Sequence, residues 1–310
     1  MTRKLPLKIL VTGSSGLIGS AVCPILQAEG FDVLTMDIRK GQYGDAIPCF
    51  KDILDGCELG RAVEGVAGII HLAGVSRVVD AQRSPERCLR VNVDGLKNLI
   101  EAMEKQRELP WLIFASSREV YGEPLYLPVD EGHVLNPINV YGKSKQICEG
   151  MLENAAKSGM TSLIYRFSNV YGSIYDYPTR LIPAFLVGAI EGKTLRVDSA
   201  DHVFDFTYVG DVAVAIATAA NRLANGDFIG ANVFNLSPGK GTSLTELLEI
   251  IKRVVGKEVT TTRGRERKYD VARYVGNCTK LKSAMGYECR MQLKQGLEQM
   301  CADYLRSRSR

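Results

Sequence analysis

The chain has 310 residues, 45% of them hydrophobic, and a formal net charge of +4. This is enough apolar material for one large domain or two closely joined ones, and the charge balance argues against a nucleic-acid partner. No apolar run reaches the length of a membrane span and the first residues, Met1 to Pro6, lack a signal-peptide core, so a cytoplasmic protein with no membrane partner is expected.

Leu7 to Thr12 is a short apolar run ending in glycine, as a buried parallel strand should be. It leads directly into Gly13, Gly16 and Gly19, after which Leu17, Ile18, Ala21, Val22, Ile25 and Leu26 repeat with helical spacing up to a cap at Gly30. Pro24 interrupts that helix and should cost a hydrogen bond. A strand, three glycines at this spacing and a helix form a dinucleotide-binding turn. Its glycines allow a tight backbone and close approach of a pyrophosphate, and the helix N-terminus faces the anion.

A second strand, Phe31 to Met36, ends at Asp37, the position of a ribose-binding acid. A carboxylate there favours NAD over NADP, although Arg39 and Lys40, which follow, keep NADP open. Ile47 to Lys51 reads as a short strand, and Asp52 and Ile53 after it would face an adenine. Gly68 to Gly74 is the fourth strand and its exit, with small residues where backbone could approach a cofactor. Helices follow at about 84–93 and 93–105. Trp111 to Ser117 is the fifth strand, ending in two hydroxyls at the carboxyl edge where open α/β sheets bind ligands.

Helix 141–156 carries Tyr141 and Lys145, four residues apart and on one face. A phenol has an ordinary pKa of about 10 and is a poor base; a neighbouring ammonium favours its phenolate. Two solvated side chains are the plainer account of the pair. Thr161 to Phe167 makes a sixth strand, and the alternation of strands and helices up to it predicts an α/β fold, a doubly wound parallel (Rossmann) sheet.

Beyond Phe167 the rhythm breaks. Residues 168–203 hold a loop rich in Tyr, Pro and Gly and a helix at 181–191; Phe204 to Val209 and a helix at 211–222 read as a return to the first domain, with a further strand at 232–236. Helices at 244–255, capped by Thr242 and Ser243, and at 293–304 read as part of a smaller C-terminal substrate domain. The predicted division is 1–167 plus about 204–237 for the dinucleotide domain, and about 168–203 plus 238–310 for the substrate domain. The eight cysteines (23, 49, 57, 88, 148, 278, 289, 301) include no Cys-x-x-Cys pair, and the three histidines are scattered, so reduced, mostly buried thiols and no metal site are expected. The basic tail at 306–310 reads as a solvated terminus.

Gly13, Gly16 and Gly19, Asp37, His71 to Gly74, Ser116 to Gly122, Tyr141 with Lys145, and Arg166 to Gly172 stand in one order over nearly the whole chain. Together they resemble the extended short-chain dehydrogenase/reductase superfamily, in its nucleotide-sugar epimerase/dehydratase branch. The resemblance implies NAD held by the glycine turn, Leu17, Ile18, Asp37, Asp52, Ile53, Leu72, Ala73, Gly74, Asn92, Tyr141 and Lys145. It makes Tyr141 the base and Ser117 a second contact to the sugar 4-hydroxyl, while Lys145 binds the nicotinamide ribose and lowers the Tyr141 pKa. A transient 4-keto sugar would be reduced on its other face.

Dehydratases of this kind carry Asp-Glu after the hydroxyl residue; here those positions are Arg118 and Glu119. An arginine is no general acid, so epimerisation is expected, with elimination through Glu119 as the alternative and a non-catalytic NAD-binding regulator as the reading from another class. The resemblance assigns Ser76, Arg118, Asn169, Arg180 and Arg267 to a nucleotide-sugar substrate, a UDP-sugar above all. Phe204 stands where the family has an arginine for the diphosphate, Tyr269 replaces a glycine between Arg267 and Asp270, and Asp198 to Ala200 replaces a Gly-x-Gly; Arg180 or His202 would compensate. A homodimer through helices near 92–105 and 141–156 completes the expectation.

Overall fold

The computed structural model describes residues 6–39, 51–265 and 267–308. The strand expected at 47–51 lies, except for Lys51, outside the described residues, as do Lys40, Cys49 and the last two residues of the basic tail. Contacts divide the chain into two units: 1–122, 134–166 and 213–234 form one, and 123–133, 167–212 and 235–310 the other.

In the first unit, strand β1 (Lys8–Thr12) turns through the glycines into helix α1 (Leu17–Ala28), followed by strand β2 (Asp32–Met36), helix α2 (Gly56–Val63) and strand β3 (Gly68–His71). Asp55 caps α2 by accepting the Cys57 and Glu58 amides. Pro24 sits on the exposed face of α1, which runs on through it. Short helices α3 (Val78–Arg83) and α4 (Pro85–Leu89) lead into α5 (Gly95–Glu104), and α4 joins α5 through a π-helical turn, Arg90–Asp94. The two helices expected over 84–105 are therefore one path with a wider, underwound π-helical join, which apolar spacing does not register because both sides keep their buried stripe. Strand β4 (Trp111–Ser117), a 3₁₀ turn (Arg118–Val120), helix α6 (Val140–Lys157) and strand β5 (Ser162–Phe167) follow.

Next along the chain come β6 (Asn169–Tyr171), α7 (Leu181–Ile190), β7 (Leu195–Val197), β8 (Val203–Tyr208), α8 (Val209–Ala224), β9 (Ala231–Leu236), β10 (Gly241–Ser243), α9 (Leu244–Val255), β11 (Thr261–Arg263), α10 (Thr279–Met285) and α11 (Leu293–Arg308). The main sheet has the order β2-β1-β3-β4-β5-β9. β1 pairs in parallel with β2 on one side and with β3 on the other, and β3 pairs in parallel with β4. The strand order thus reverses between β1 and β3, and the crevice at their carboxyl ends is where such a sheet binds ligands. Leu10, Ile69, Leu112, Phe114 and Ile164, all buried, form the core of this unit with α2, α5 and α6. α6 buries Tyr141, Ser144, Lys145, Cys148, Glu149, Leu152 and Ala155, one helical stripe whose first turns are polar and whose last turns are apolar.

The second unit holds a three-stranded sheet, β10-β8-β6, and a two-stranded one, β11-β7. β8 pairs antiparallel with β10 and in parallel with β6. It does not rejoin the first sheet as expected. Its residues are buried on both faces, so its composition suits either sheet, and only its pairing partners decide between them. α8 does return: residues 213–224 belong to the first unit. α9 opens with a capping box, Ser243 and Glu246 satisfying each other's backbone amides, and closes at Gly256 with φ 69°. Among the described residues no helix is long and apolar enough to cross a membrane. Cys23, Cys88, Cys148 and Cys301 are buried free thiols, Cys278 and Cys289 are half-buried, and Cys57 is exposed.

Asp205 on β8 is wholly buried and ties distant backbone of this unit together, its Oδ2 accepting the Gly239 and Gly276 amides at 3.0 and 3.1 Å. Burial pushes its carboxyl up to about 6, against hydrogen bonds from Ser237 and from backbone amides that lower it. A raised carboxyl contributes stability that is complete below its ordinary value, 3.8, and is lost as pH rises through about 6. Thermal unfolding of wild type and Asp205→Asn across that interval should therefore show wild type losing ground to the variant as pH rises; parallel curves would place the titration elsewhere.

Candidate active site

Gly13 adopts φ 71°, and a Cβ there would meet the Ala73 amide nitrogen at 2.5 Å; one on Gly19 would meet the Gly13 carbonyl at 2.3 Å. Backbone alone therefore fills the space between the β1 turn and the β3 exit. α1 begins at Leu17 with Gly16 as an N-cap that makes no side-chain hydrogen bond, leaving its first-turn amides for an anion. The Asp37 carboxylate, 7% exposed, accepts the Ser15 amide at 2.9 Å and the Arg39 amide at 2.8 Å, which fixes it beside the glycine turn. A dinucleotide fits this arrangement, its phosphates at the α1 terminus and its ribose hydroxyls at Asp37.

Asp52 is exposed and its Oδ1 accepts the Leu54 amide at 3.0 Å. Ile53 is a core side chain packed against Gly95, so only its backbone is left for a ligand. Leu72 and Ala73 follow β3, where Thr12 Oγ1 holds His71 Nδ1 at 2.8 Å. Gly74 stands over the Asn92 side chain. Asn92 grips both the amide and carbonyl of Val75, at 2.7 and 3.1 Å, and donates to Ser144 Oγ at 2.9 Å. It thus clamps the β3 exit to α6 from inside the π-helical turn. Ser76 is exposed nearby in sequence.

Ser117 ends β4, 8% exposed, and its Oγ accepts the Glu119 amide at 3.2 Å. With a lone pair so engaged, its O–H is the group left to donate outward. Tyr141 and Lys145 lie on the buried polar turns of α6, which packs on β4 and on the 3₁₀ turn. Lys145 Nζ donates to the Ala115 carbonyl at 2.7 Å and lies 4.6 Å from the Phe114 ring centroid and 5.9 Å from that of Tyr141. Among the described residues it makes no ion pair. Burial lowers its pKa below the usual lysine range, and the Tyr141 phenol is one of the groups beside this buried ammonium. Burial, and then the Lys145 charge, bring His71 down to about 3, so the imidazole beside it stays neutral.

Glu149, one turn beyond Lys145, is committed elsewhere. Arg166 Nη2 and Nε hold it at 2.6 and 3.1 Å, Ser116 Oγ donates to it, and Arg166 Nη1 donates to Tyr121 Oη at 2.9 Å. Arg166 and Glu149 are 4% and 1% exposed. Glu119 is also occupied: Arg118 Nη2 lies 2.9 Å from its Oε1, and Asn139 Nδ2 donates to its Oε2 at 2.7 Å. Asn139, Ser144 and Glu149 were not singled out from the sequence. Asn139 three residues before Gly142 carries the only local signal, that of an N-cap.

Within the second unit, Asn169 opens β6. Arg180 pairs with Asp176 at 3.6 Å and lies over the Tyr177 ring; Arg267 pairs with Asp270 at 2.7 Å and lies over Tyr269. Phe204 is 8% exposed and packs edge-on against His202 and Phe206. The residue in the arginine position is thus part of this unit's core, and His202 is packed against it. Among the described residues no group of His, Cys, Asp and Glu could hold a metal ion.

The NAD dependent epimerase/dehydratase family matches residues 9–236 of this chain. UDP-glucose 4-epimerase of Lactobacillus helveticus is 32% identical over 306 residues, covering 91% of this chain and 92% of that protein. The enzyme of the same name from Bacillus subtilis is 29% identical over 334 residues, covering 97% and 96%. The crystal structure of UDP-glucose 4-epimerase with UDP-glucose from Thermotoga maritima superposes with a TM-score of 0.89 at 28% identity, covering 98% of this chain and 100% of that one. The Thermus thermophilus UDP-glucose 4-epimerase in complex with NAD gives 0.86 at 26% identity, covering 96% and 99%.

The Arg166–Glu149 pair gives this site its own test. Removing one partner of a buried pair strands the other charge, at a cost of about 3–5 kcal/mol. Chemical denaturation of Arg166→Met should show a loss of that size, and a loss below about 1 kcal/mol would mean that the pair is dispensable.

Proposed function

The chain belongs to the NAD-dependent epimerase/dehydratase family, and from that premise we propose that it is a nucleotide-sugar 4-epimerase acting on UDP-sugars, with Tyr141 as its base and Ser117 and Lys145 assisting. The observation that carries this is the buried Lys145 ammonium, without an ion-pair partner among the described residues and 5.9 Å from the Tyr141 ring centroid. NAD, when bound, supplies the acceptor and donor of the hydride at sugar C4. Tyr141 takes the proton of the 4-hydroxyl and returns it, while Ser117 donates its free O–H to the same oxygen. The glycine turn, the α1 amides and Asp37 hold the pyrophosphate and ribose, with Leu72, Ala73 and Gly74 against the cofactor. Asn169, Arg180 and Arg267 are the candidate substrate contacts, and the UDP-sugars are carried over from the relatives named above. Elimination is disfavoured by the engagement of both Glu119 oxygens and by an arginine in place of the acid.

With UDP-glucose or UDP-galactose followed by NMR, Tyr141→Phe should lower kcat by roughly 10²–10⁴-fold, the range of general acid–base catalysis, and Lys145→Met should act in the same direction. Lack of inversion by wild type across UDP-sugars would overturn the reading. That result would favour a cofactor-binding regulator, whereas an active wild type with a Tyr141→Phe variant equally active would overturn Tyr141 as the base. The proposal extends to a homodimer through α5 and α6, where Ile147 stands 46% exposed on α6. Light scattering should give twice the chain mass, falling to the chain mass in Ile147→Lys; a monomeric wild type would remove this part.

A further inference from the structure

The two groups proposed to touch the sugar 4-hydroxyl, Ser117 and Tyr141, lie 24 positions apart on different elements, yet one buried chain of hydrogen bonds links their backbones. Ser117 Oγ accepts the Glu119 amide at 3.2 Å. Glu119 Oε2 accepts the Asn139 side-chain amide at 2.7 Å, and Asn139 Oδ1 in turn caps α6 by accepting the Gly142 amide at 2.8 Å, one residue past Tyr141. The path is closed by contact as well, since a Cβ on Gly142 would sit 2.4 Å from the Glu119 carbonyl oxygen. Glu119, Asn139 and Arg118 are 6%, 1% and 7% exposed.

We infer that Glu119 is a positioning residue. Its carboxylate fixes the Asn139 cap of α6, and through that cap it sets Tyr141 against Ser117. Arg118, 2.9 Å from Glu119 Oε1, is the counter-charge that lets a carboxylate stay buried there. The Arg118-Glu119 sequence is then one device: the arginine removes the acid that elimination needs and also neutralises the brace. Both oxygens of Glu119 are spent as acceptors, so it acts through Asn139 and not on the sugar.

The inference rests on the epimerase reading, and two readouts keep their fates apart. In the NAD-loaded enzyme with UDP-galactose, Glu119→Gln and Asn139→Ala should each lower kcat roughly tenfold or more, the scale of a small misplacement of a catalytic group, with KM within about twofold. The double variant should be no slower than the slower single one, because both act through the same chain. Asn139→Ser, which still caps a helix, should restore most of kcat. Independently of turnover, hydrogen exchange of the peptide spanning Gly142 to Lys145 should speed up in Glu119→Gln. A silent Glu119→Gln, multiplicative losses in the double variant, or unchanged exchange would overturn the brace. Deuterium entering sugar C5 from solvent in wild type but not in Glu119→Gln would make Glu119 a base and also overturn it. If wild type is inert on every UDP-sugar while exchange still responds, the epimerase reading falls and the brace stands.

Discussion

The hydrogen bond from Lys145 Nζ to the Ala115 carbonyl joins helix α6 to strand β4 where the two elements carry the proposed catalytic groups. Strand β4 presents Ser117 two residues after that carbonyl, and α6 presents Tyr141 one turn before that amine. The amine is buried, and burial penalises its charge. The site must therefore offer compensation, and the compensation it offers is a carbonyl dipole, an aromatic face at Phe114 and the adjacent phenol. Neighbours that would add positive charge are suppressed: His71 is held neutral by burial.

Around this contact α6 is fastened at three heights. Asn139 caps its first turn and is itself held by Glu119; Ser144 donates to the Tyr141 carbonyl and accepts from Asn92; Glu149 locks to Arg166 and Ser116. Each fastening reaches a different neighbour: the 3₁₀ turn after β4, the π-helical turn between α4 and α5, and β4 with β5. Polar groups so deeply buried weaken a core unless every partner is matched. Here they hold α6, and with it the Tyr141 phenol, against β4 and the 3₁₀ turn, the rigid support that the proposed proton transfer calls for. The apolar half of α6, Leu152 and Ala155, supplies the burial that anchors the helix.

The second unit departs most from the family pattern and does so in its packing. Phe204 occupies the arginine position and lies among His202 and Phe206 inside the unit. The two arginines assigned to substrate each have a carboxylate partner, Asp176 for Arg180 and Asp270 for Arg267. An anion recruiting either of them has to compete with that partner.

The sequence by itself determined the dinucleotide half. Strand, glycine spacing, helix and Asp37 are a local pattern, and local patterns survive without knowledge of what packs on them: the turn needs Gly13 at positive φ whatever the rest of the chain does. It also determined that Tyr141 and Lys145 share a helical face, since that follows from 3.6 residues per turn. Only the tertiary structure decided what Glu119 does, because its partner Asn139, 20 positions further on, is set by how the 3₁₀ turn meets α6. The same holds for the clamp that Asn92 makes on Val75 and Ser144, and for β8. Alternating aromatics there mark a strand, but its burial on both faces and its choice of sheet belong to the fold, through the pairing of Phe204 with Thr242 and of Phe206 with Asn169. Helical and strand periodicities are encoded between neighbours in the chain, whereas the choice of partner for a buried polar group depends on residues tens of positions away.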